Sequence, residues 1–260
     1  MATPPRSAAL DERDLAEIRR SAEEARRLPF VTVARSHIER YLNPPANTPY
    51  CLEYSFHLLG DVRGKTILDL GCGQGENLIP LAHRGGNVIG IDISPELIRL
   101  AEARVRSSGV KADLAVGSAY ETGLPDESVD IIFCIALIHH LDIARVQAEM
   151  KRTLKRDGFV VLSEPIRFSK LYDRFRKLLR PSQNISESEH PLTGSEFDYM
   201  VSGFSAEDLR YFRLPFVPLT LLLLGKTNGF VYRLSAWLIA EVPMLQRFAT
   251  SVAVRLRKQS

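Results

Sequence analysis

The chain has 260 residues, of which 45% are hydrophobic and 25% are charged, as in globular proteins and unlike disordered or fibrous ones. Its net charge of only +3 gives no electrostatic indication of nucleic-acid binding. The three cysteines, Cys51, Cys72 and Cys134, lack the spacing of a metal site, so we expect reduced thiols, no metal and a cytoplasmic protein. We expect neither a signal peptide nor a transmembrane segment, since no apolar stretch reaches the roughly 20 residues of a spanning helix.

The N-terminal segment, residues 1–60, is predicted to be helical. Over residues 11–28, apolar side chains recur at helical spacing among many charges. Two shorter helices are expected at 30–41 and 49–60, separated by prolines that stop a helix. We interpret this segment as a helical lid on a main domain that spans residues 61–260.

A glycine-rich turn joins the first predicted strand, residues 66–70, to a helix. Three glycines follow this strand at alternate positions: Gly71, Gly73 and Gly75. Glycine permits the sharp turn and the close approach of a ligand that a Cβ would obstruct. The next strand, 87–91, ends at Asp92, where a carboxylate is placed to accept hydrogen bonds from ribose hydroxyls. Together these features predict a nucleotide-binding corner.

The remaining elements alternate between strands and helices, as in a doubly wound α/β domain with a parallel sheet. Strands are predicted at 112–116, 129–134 and 158–163, and helices at 76–84, 95–107 and 142–155, with Ser94 capping the second of these helices. An insertion is expected at about 166–203. Beyond it we expect a short helix from 205–209, a strand at 216–224, a helix at 230–248 and a strand at or near the sheet edge at 251–258.

The pattern Asp69-x-Gly71-x-Gly73-x-Gly75 resembles motif I of the class I S-adenosylmethionine-dependent methyltransferases, and more closely their type 11, small-molecule branch. Glu76 stands where a dinucleotide fingerprint has its third glycine, which disfavours a nicotinamide-dependent oxidoreductase. The resemblance covers roughly residues 65–165. It implies a Rossmann-like seven-stranded sheet with an antiparallel last strand, S-adenosylmethionine as cofactor and S-adenosylhomocysteine as product.

The resemblance also implies which residues bind the cofactor. Asp69 would hold its methionine amino end, Asp92 the ribose hydroxyls, and Ile93 the face of the adenine. Ser118 stands where many relatives have an aspartate that accepts from the adenine amino group, so its neutral hydroxyl is expected to bind less strongly. The remaining implied cofactor positions are Gly71, Cys72, Gly73, Gly75, Ala119 and Cys134.

Three residues at the same predicted sheet edge are candidates for catalysis. His139 and His140 lie in a segment, residues 134–142, that is similar to the family's post-strand L-x-H-H-L-x-D motif. Either imidazole could remove a proton from the acceptor, because histidine titrates near neutral pH, or either could be structural. Glu164, which ends the fifth strand, could orient an acceptor amine or hydroxyl, or face solvent. Methyl transfer does not always need a strong base, since positioning an activated donor supplies much of the rate.

The acceptor is predicted to be a small molecule, with a hydrophobic or lipid-like compound as a hypothesis. In methyltransferases that the chain resembles, N-terminal helices often shape the acceptor pocket, so Tyr41, Tyr50 and Tyr54 are candidates for it, with core packing as the alternative. A basic amphipathic helix predicted at 166–180 would contact an anionic membrane peripherally or pack as a cap. The chain lacks the tetrad typical of enzymes that methylate exocyclic base amines, so no nucleic acid is expected. A cofactor-binding protein without transferase activity is an alternative, and the oligomeric state stays open.

Overall fold

The computed structural model describes residues 18, 19, 22, 23, 25, 32–167, 191–218, 220 and 228–259. Its helices and strands alternate through most of the chain. In order they are α1 (Arg35–Leu42), α2 (Cys51–Leu58), β1 (Thr66–Leu70), α3 (Leu78–His83), β2 (Asn87–Asp92), α4 (Pro95–Ser107), β3 (Asp113–Val116), β4 (Val129–Ile135), α5 (Ile143–Thr153), β5 (Leu154–Arg167), β6 (Leu192–Thr193), α6 (Gly194–Ser202), β7 (Ser205–Phe212), α7 (Gly229–Glu241) and β8 (Ser251–Arg257), with short 3-10 helices at Ile138–His140 and Pro243–Phe248.

Seven strands form one mixed sheet in the order β3-β2-β1-β4-β5-β8-β7, and the short strand β6 pairs with β5. The five strands from β3 to β5 are parallel, whereas β8 runs antiparallel between β5 and β7. The strand order reverses at β1, because the chain moves outward to β2 and β3 and then returns to β4 on the other side. This confirms the predicted doubly wound fold and opens a crevice at the carboxyl ends of β1 and β4.

Helices cover both faces of the sheet, and each face has its own hydrophobic core. Alternate residues of β1 divide between them, since Leu68 and Leu70 belong to one core and Ile67 to the other. Helices α5, α6 and α7 close the first core, and α1 to α4 close the second. The predicted cap of α4 is confirmed, because the Ser94 hydroxyl accepts a hydrogen bond from the Leu97 N–H at 3.3 Å.

The described N-terminal helices, α1 and α2, pack into the second core. Phe56 is fully buried, and its ring centroid lies 4.6 Å from that of Tyr41 and 4.9 Å from that of Phe133 in β4. The helix predicted at 11–28 lies largely outside the described residues. A lid function for residues 1–60 stays a prediction.

The C-terminal part of the sheet differs from its sequence prediction. Residues 205–212 form the edge strand β7 rather than the start of a helix, because their backbone pairs with β8. A capping box forms earlier, at Thr193 and Glu196, where α6 starts. Residues 216–218 are helical, where the apolar pattern predicts a strand. Strand β8 lies next to the edge strand, in agreement with the prediction for 251–258.

The predicted insertion begins slightly later than the sequence indicates. Strand β5 continues through Ile166 and Arg167, so these residues do not open a helix. The rest of the predicted basic helix, 168–180, lies outside the described residues. After this gap the chain returns through β6, which pairs with the end of β5, and then through α6. Of the helices in the described ranges, none is both long and apolar enough to cross a membrane.

Candidate active site

A turn of three left-handed glycines follows β1 at the crevice. Gly71, Gly73 and Gly75 have φ angles of +73°, +52° and +84°, which L side chains rarely adopt. A Cβ on Gly71 would lie 2.8 Å from a methyl group of Leu137, and one on Gly75 would lie 2.9 Å from the Cβ of Ala101 in α4. The absence of a Cβ at Gly75 thus lets the turn pack closely against α4. At Gly73 no described atom lies within 4 Å of the Cβ position, so its backbone is open to a ligand.

Asp92, at the end of β2, fixes this glycine turn. One carboxylate oxygen accepts from the Gly73 N–H at 2.9 Å, and the other accepts from the Ser94 N–H at 2.9 Å. The Asp92 side chain is half-buried, and each carboxylate oxygen can accept more than one hydrogen bond. Asp92 can therefore hold the turn and also accept from ribose hydroxyls, which stays a prediction. Ile93, the predicted adenine contact, follows it directly and is also half-buried.

Asp69 is a buried carboxylate with an unfilled hydrogen-bond site. It is 1% exposed near the end of β1, and its Oδ2 atom has no hydrogen-bond partner among the described residues. Burial, and then the nearby charge of Asp92, raises the pKa of Asp69 to about 8. A buried acceptor without a partner costs free energy unless a ligand supplies the donor. An ammonium group would supply it, which fits the amino end of the cofactor that the sequence implies.

Two predicted cofactor residues, Cys72 and Cys134, have side chains in the hydrophobic cores. Cys72 is 6% exposed and Cys134 is fully buried, and burial raises the pKa of both thiols. Their contact with the cofactor stays a prediction. The Ser118 hydroxyl accepts from the Tyr120 N–H at 3.2 Å, within its own turn. Ser118 and the half-buried Ala119 stay predictions for the adenine end.

A buried glutamate joins the predicted catalytic histidines to β5. One Glu164 oxygen accepts from the N–H groups of Leu137 and Ile138, both at 2.8 Å, and the other lies 2.7 Å from Nδ1 of His139. The Glu164 side chain is fully buried, and that of His139 is 13% exposed. The ring of His140 lies beside that of His139, with 3.9 Å between centroids. The structure thus distinguishes the two histidines, and Glu164 contacts His139 rather than solvent.

The three predicted pocket tyrosines fall into two groups. Tyr41 is 5% exposed and Tyr54 is 9% exposed, and the Tyr54 hydroxyl donates to the backbone oxygen of Asp208 at 3.1 Å. Both pack in the second core, as the packing alternative describes, and their place in the acceptor pocket stays a prediction. Tyr50 is half-buried and lies against Tyr232 of α7, with 4.8 Å between ring centroids. Of the three, only Tyr50 keeps a partly accessible side chain.

Four polar residues beside the end of β5 are not predicted as site residues from the sequence. The thiol of Cys51 in α2 lies 3.2 Å from the Ser163 hydroxyl in β5, and burial raises the pKa of this thiol to about 11. Arg213, directly after β7, donates from Nε to the Ser251 hydroxyl in β8 at 3.0 Å. These residues come from separate elements, and no local motif marks any of them.

Comparison with known proteins agrees with this geometry. Residues 68–162 match a family model described as a methyltransferase domain. A ubiquinone biosynthesis O-methyltransferase of Photobacterium profundum is 32% identical over 126 residues, which are 48% of this chain and 54% of that protein. The chain spans about half the length of the curated relatives it matches.

Solved structures of low sequence identity share the fold. A putative methyltransferase from Bacillus halodurans has a TM-score of 0.60 at 19% identity, over 80% of this chain and 99% of that chain. A geranyl diphosphate methyltransferase in complex with GPP and sinefungin has a TM-score of 0.57 at 17% identity, over 79% of this chain and 77% of that chain.

The strand order, the glycine turn and the family match define a class I methyltransferase fold of the S-adenosylmethionine-dependent type. Residues 68–162 of this chain are a methyltransferase domain, and S-adenosylmethionine is the cofactor of its class. This assignment replaces the nicotinamide-dependent alternative.

Proposed function

We propose that the chain transfers a methyl group from S-adenosylmethionine to an O, N or C atom of a small acceptor. The observation that carries the proposal is that the open glycine turn, the orphaned Asp69 oxygen and the His139–Glu164 pair share one edge of the sheet. Cofactor-binding groups and a proton acceptor are thus available on the two sides of one crevice.

On this proposal, residues at the ends of β1 and β2 hold the cofactor. Asp69 accepts from its ammonium group, Asp92 accepts from the ribose hydroxyls, and the backbone at Gly73 lies against it. When bound, S-adenosylmethionine supplies a methyl group that its sulfonium has already activated. The protein's main task is then to position the acceptor atom in line with that methyl group.

His139 is proposed as the group that takes the acceptor proton. If its Nδ1–H donates to Glu164, the Nε2 atom carries the free lone pair. Glu164 then fixes both the ring orientation and the tautomer, as the acid of a catalytic triad does. The ring of His140 packs against that of His139, with 3.9 Å between centroids.

We further propose that the methyl acceptor is hydrophobic or lipid-like. The names of two similar proteins support it, since one acts in ubiquinone biosynthesis and another on geranyl diphosphate. Exposed apolar side chains on and after α7 also support it, because Phe230, Trp237 and Met244 are 66%, 59% and 64% exposed. Peripheral contact with a membrane, through these side chains or the predicted helix at 166–180, belongs to the same proposal.

The test is to incubate the purified chain with methyl-labelled S-adenosylmethionine and a cell extract, and to partition the products between organic and aqueous phases. Enzyme-dependent label in the organic phase supports the hydrophobic acceptor. Label in the aqueous phase keeps the transferase proposal and rejects the lipid-like acceptor. Cofactor binding without any labelled product would reject transfer and favour a binding protein without this activity.

A further inference from the structure

Arg213 is held in a strained backbone conformation directly after β7. Its φ angle is +59°, a left-handed conformation that side-chain-bearing residues rarely adopt. The carbonyl oxygen of Arg213 accepts from both the N–H and the hydroxyl of Thr250, at 2.8 and 3.0 Å, and these bonds lock the turn. Strain of this kind persists where the surrounding structure fixes it, and it is concentrated at functional sites.

The guanidinium of Arg213 is also fixed, but by a neutral partner. Its Nε and Nη2 atoms both donate to the hydroxyl of Ser251, which is 2% exposed. Within the described ranges, no carboxylate forms an ion pair with Arg213. A guanidinium has five N–H donors, so the edge formed by Nη1 and Nη2 retains donors for a further partner. That edge matches the two oxygens of a carboxylate or phosphate.

The guanidinium lies at the same edge of the sheet as the proposed catalytic pair, on the opposite face of the strands. In the β5–β8 ladder, Ser251 is opposite Pro165 and Val252 is opposite Glu164. The thiol of Cys51 lies at this edge too, 3.2 Å from the Ser163 hydroxyl in β5 and 3.6 Å from the backbone oxygen of Val252 in β8. Arg213 and the His139–Glu164 pair therefore lie at the same carboxyl edge of β5.

Side chains from α2 and α7 border this region. Tyr50 and Tyr232 contact each other through their rings, and Leu214 donates its N–H to the hydroxyl of Ser235 in α7 at 2.8 Å. These contacts place Tyr50 and Tyr232 on elements that adjoin the end of β7, where Arg213 lies. An acceptor with an apolar body and one anionic group would fit both features.

We propose that Arg213 is a specificity residue that binds an oxyanion of the methyl acceptor, either a carboxylate or a phosphate. This inference rests on the proposed function, but anion binding by Arg213 can be measured without methyl transfer. Ser251 acts as a positioning residue, since its hydroxyl fixes the plane of the guanidinium.

The test is calorimetric titration of the full chain with phenyl phosphate, with benzoate and with uncharged benzyl alcohol. Arg213→Gly is the main variant, because glycine adopts the left-handed conformation without strain and the protein is expected to fold. Arg213→Lys keeps the charge but not the planar donor edge. The control is Arg156→Gln at the opposite edge of the sheet, where the arginine side chain is 83% exposed.

The wild type and Arg156→Gln are expected to bind at least one of the two anions with equal affinity. Arg213→Gly should bind that anion at least about tenfold more weakly, and Arg213→Lys should be intermediate, since hydrogen bonds to a charged group are being removed. The anion that loses more affinity identifies the group as carboxylate or phosphate. Binding of benzyl alcohol should be the same in all four proteins.

The proposal is overturned if the wild type binds neither anion, or if Arg213→Gly binds both as tightly as the wild type. It is also overturned if the affinity of Arg213→Gly for benzyl alcohol falls as much as its affinity for the anion, which would indicate a structural role for Arg213. Anion binding that depends on Arg213, in a chain that transfers no methyl group, would count against the proposed function alone.

Discussion

Replacing Glu164 with glutamine tests whether this residue positions His139. Glutamine keeps the size of the side chain, and its amide oxygen can still accept from the N–H groups of Leu137 and Ile138. Its amide nitrogen would then face His139 Nδ1, which lies 2.7 Å from the carboxylate in the native protein. Because an amide N–H is a donor, Nδ1 must become the acceptor and the ring proton must move to Nε2. The nitrogen proposed to accept the substrate proton is thereby blocked.

The substitution Glu164→Gln should change both the free energy of unfolding and kcat. Hydrogen bonds to a charged group contribute about 1.5–3 kcal/mol and neutral ones about 0.5–1.5 kcal/mol, so the free energy of unfolding should fall by about 1–3 kcal/mol. A general base contributes about 10²- to 10⁴-fold to the rate, so kcat should fall at least about 100-fold. The Kd of S-adenosylmethionine should be unchanged, because Glu164 contacts the post-β4 turn and not the glycine turn.

The assay combines kcat at saturating cofactor with nitrogen NMR of the imidazole, which reports the position of the ring proton. Glu149→Gln is a matched control, because this buried glutamate also accepts several hydrogen bonds: two from the N–H and hydroxyl of Thr122 at 2.8 and 2.6 Å, and two from Nη2 and Nε of Arg152 at 2.7 and 2.8 Å. The control should lose comparable stability and keep its kcat. A kcat of Glu164→Gln equal to that of the wild type, or a ring proton that remains on Nδ1 of His139, would refute the proposal that Glu164 positions His139.

Four further variants test the fold and the site. Gly75→Ala should lower the free energy of unfolding in urea by about 1–3 kcal/mol, because its Cβ would meet Ala101 at 2.9 Å, whereas Gly73→Ala, with open space around its Cβ position, should cost less. The pKa of Asp69 is raised to about 8 from its ordinary value near 3.8, so its contribution to stability is greatest below about pH 4 and is lost as the pH rises towards 8. Asp69→Asn should therefore show a smaller fall in unfolding free energy between pH 5 and pH 8 than the wild type, by up to about 1.4 kcal/mol per pH unit, and parallel pH curves would contradict this. Tyr54→Phe should lose about 1 kcal/mol of stability and retain kcat, and a kcat reduced by about tenfold or more would return Tyr54 to the acceptor pocket.

The alternating core of the fold is predictable from the sequence because its signals are local. The strands β1 to β4 are short and largely apolar, and α4 carries the Ser94 cap and amphipathic spacing that neighbouring residues determine. The edge strand β7 is different. Residues 205–209 carry the local pattern of a helix start, and only pairing with β8, which lies about forty residues later, makes them a strand.

The candidate site likewise has one part that the sequence predicts and another that it does not. The glycine turn and Asp92 can be predicted because one βαβ unit contains both. The contact between His139 and Glu164 spans 25 residues and depends on β4 and β5 being neighbours in the sheet. Sequence alone therefore cannot choose between His139 and His140. The surroundings of Arg213 come from β7, β8 and α7, which no short motif connects.

Calorimetric titration of the full chain with S-adenosylmethionine tests whether the crevice at the carboxyl ends of β1 and β4, which Asp92 of β2 borders, binds the cofactor. We expect one cofactor molecule per chain and an affinity at least about tenfold lower in Asp92→Ala, because a charged acceptor and the anchor of the glycine turn are both lost. Asp61→Ala, which removes a carboxylate that is 62% exposed, should bind as the wild type does. No heat of binding in the wild type, or an unchanged affinity in Asp92→Ala, would refute cofactor binding in this crevice.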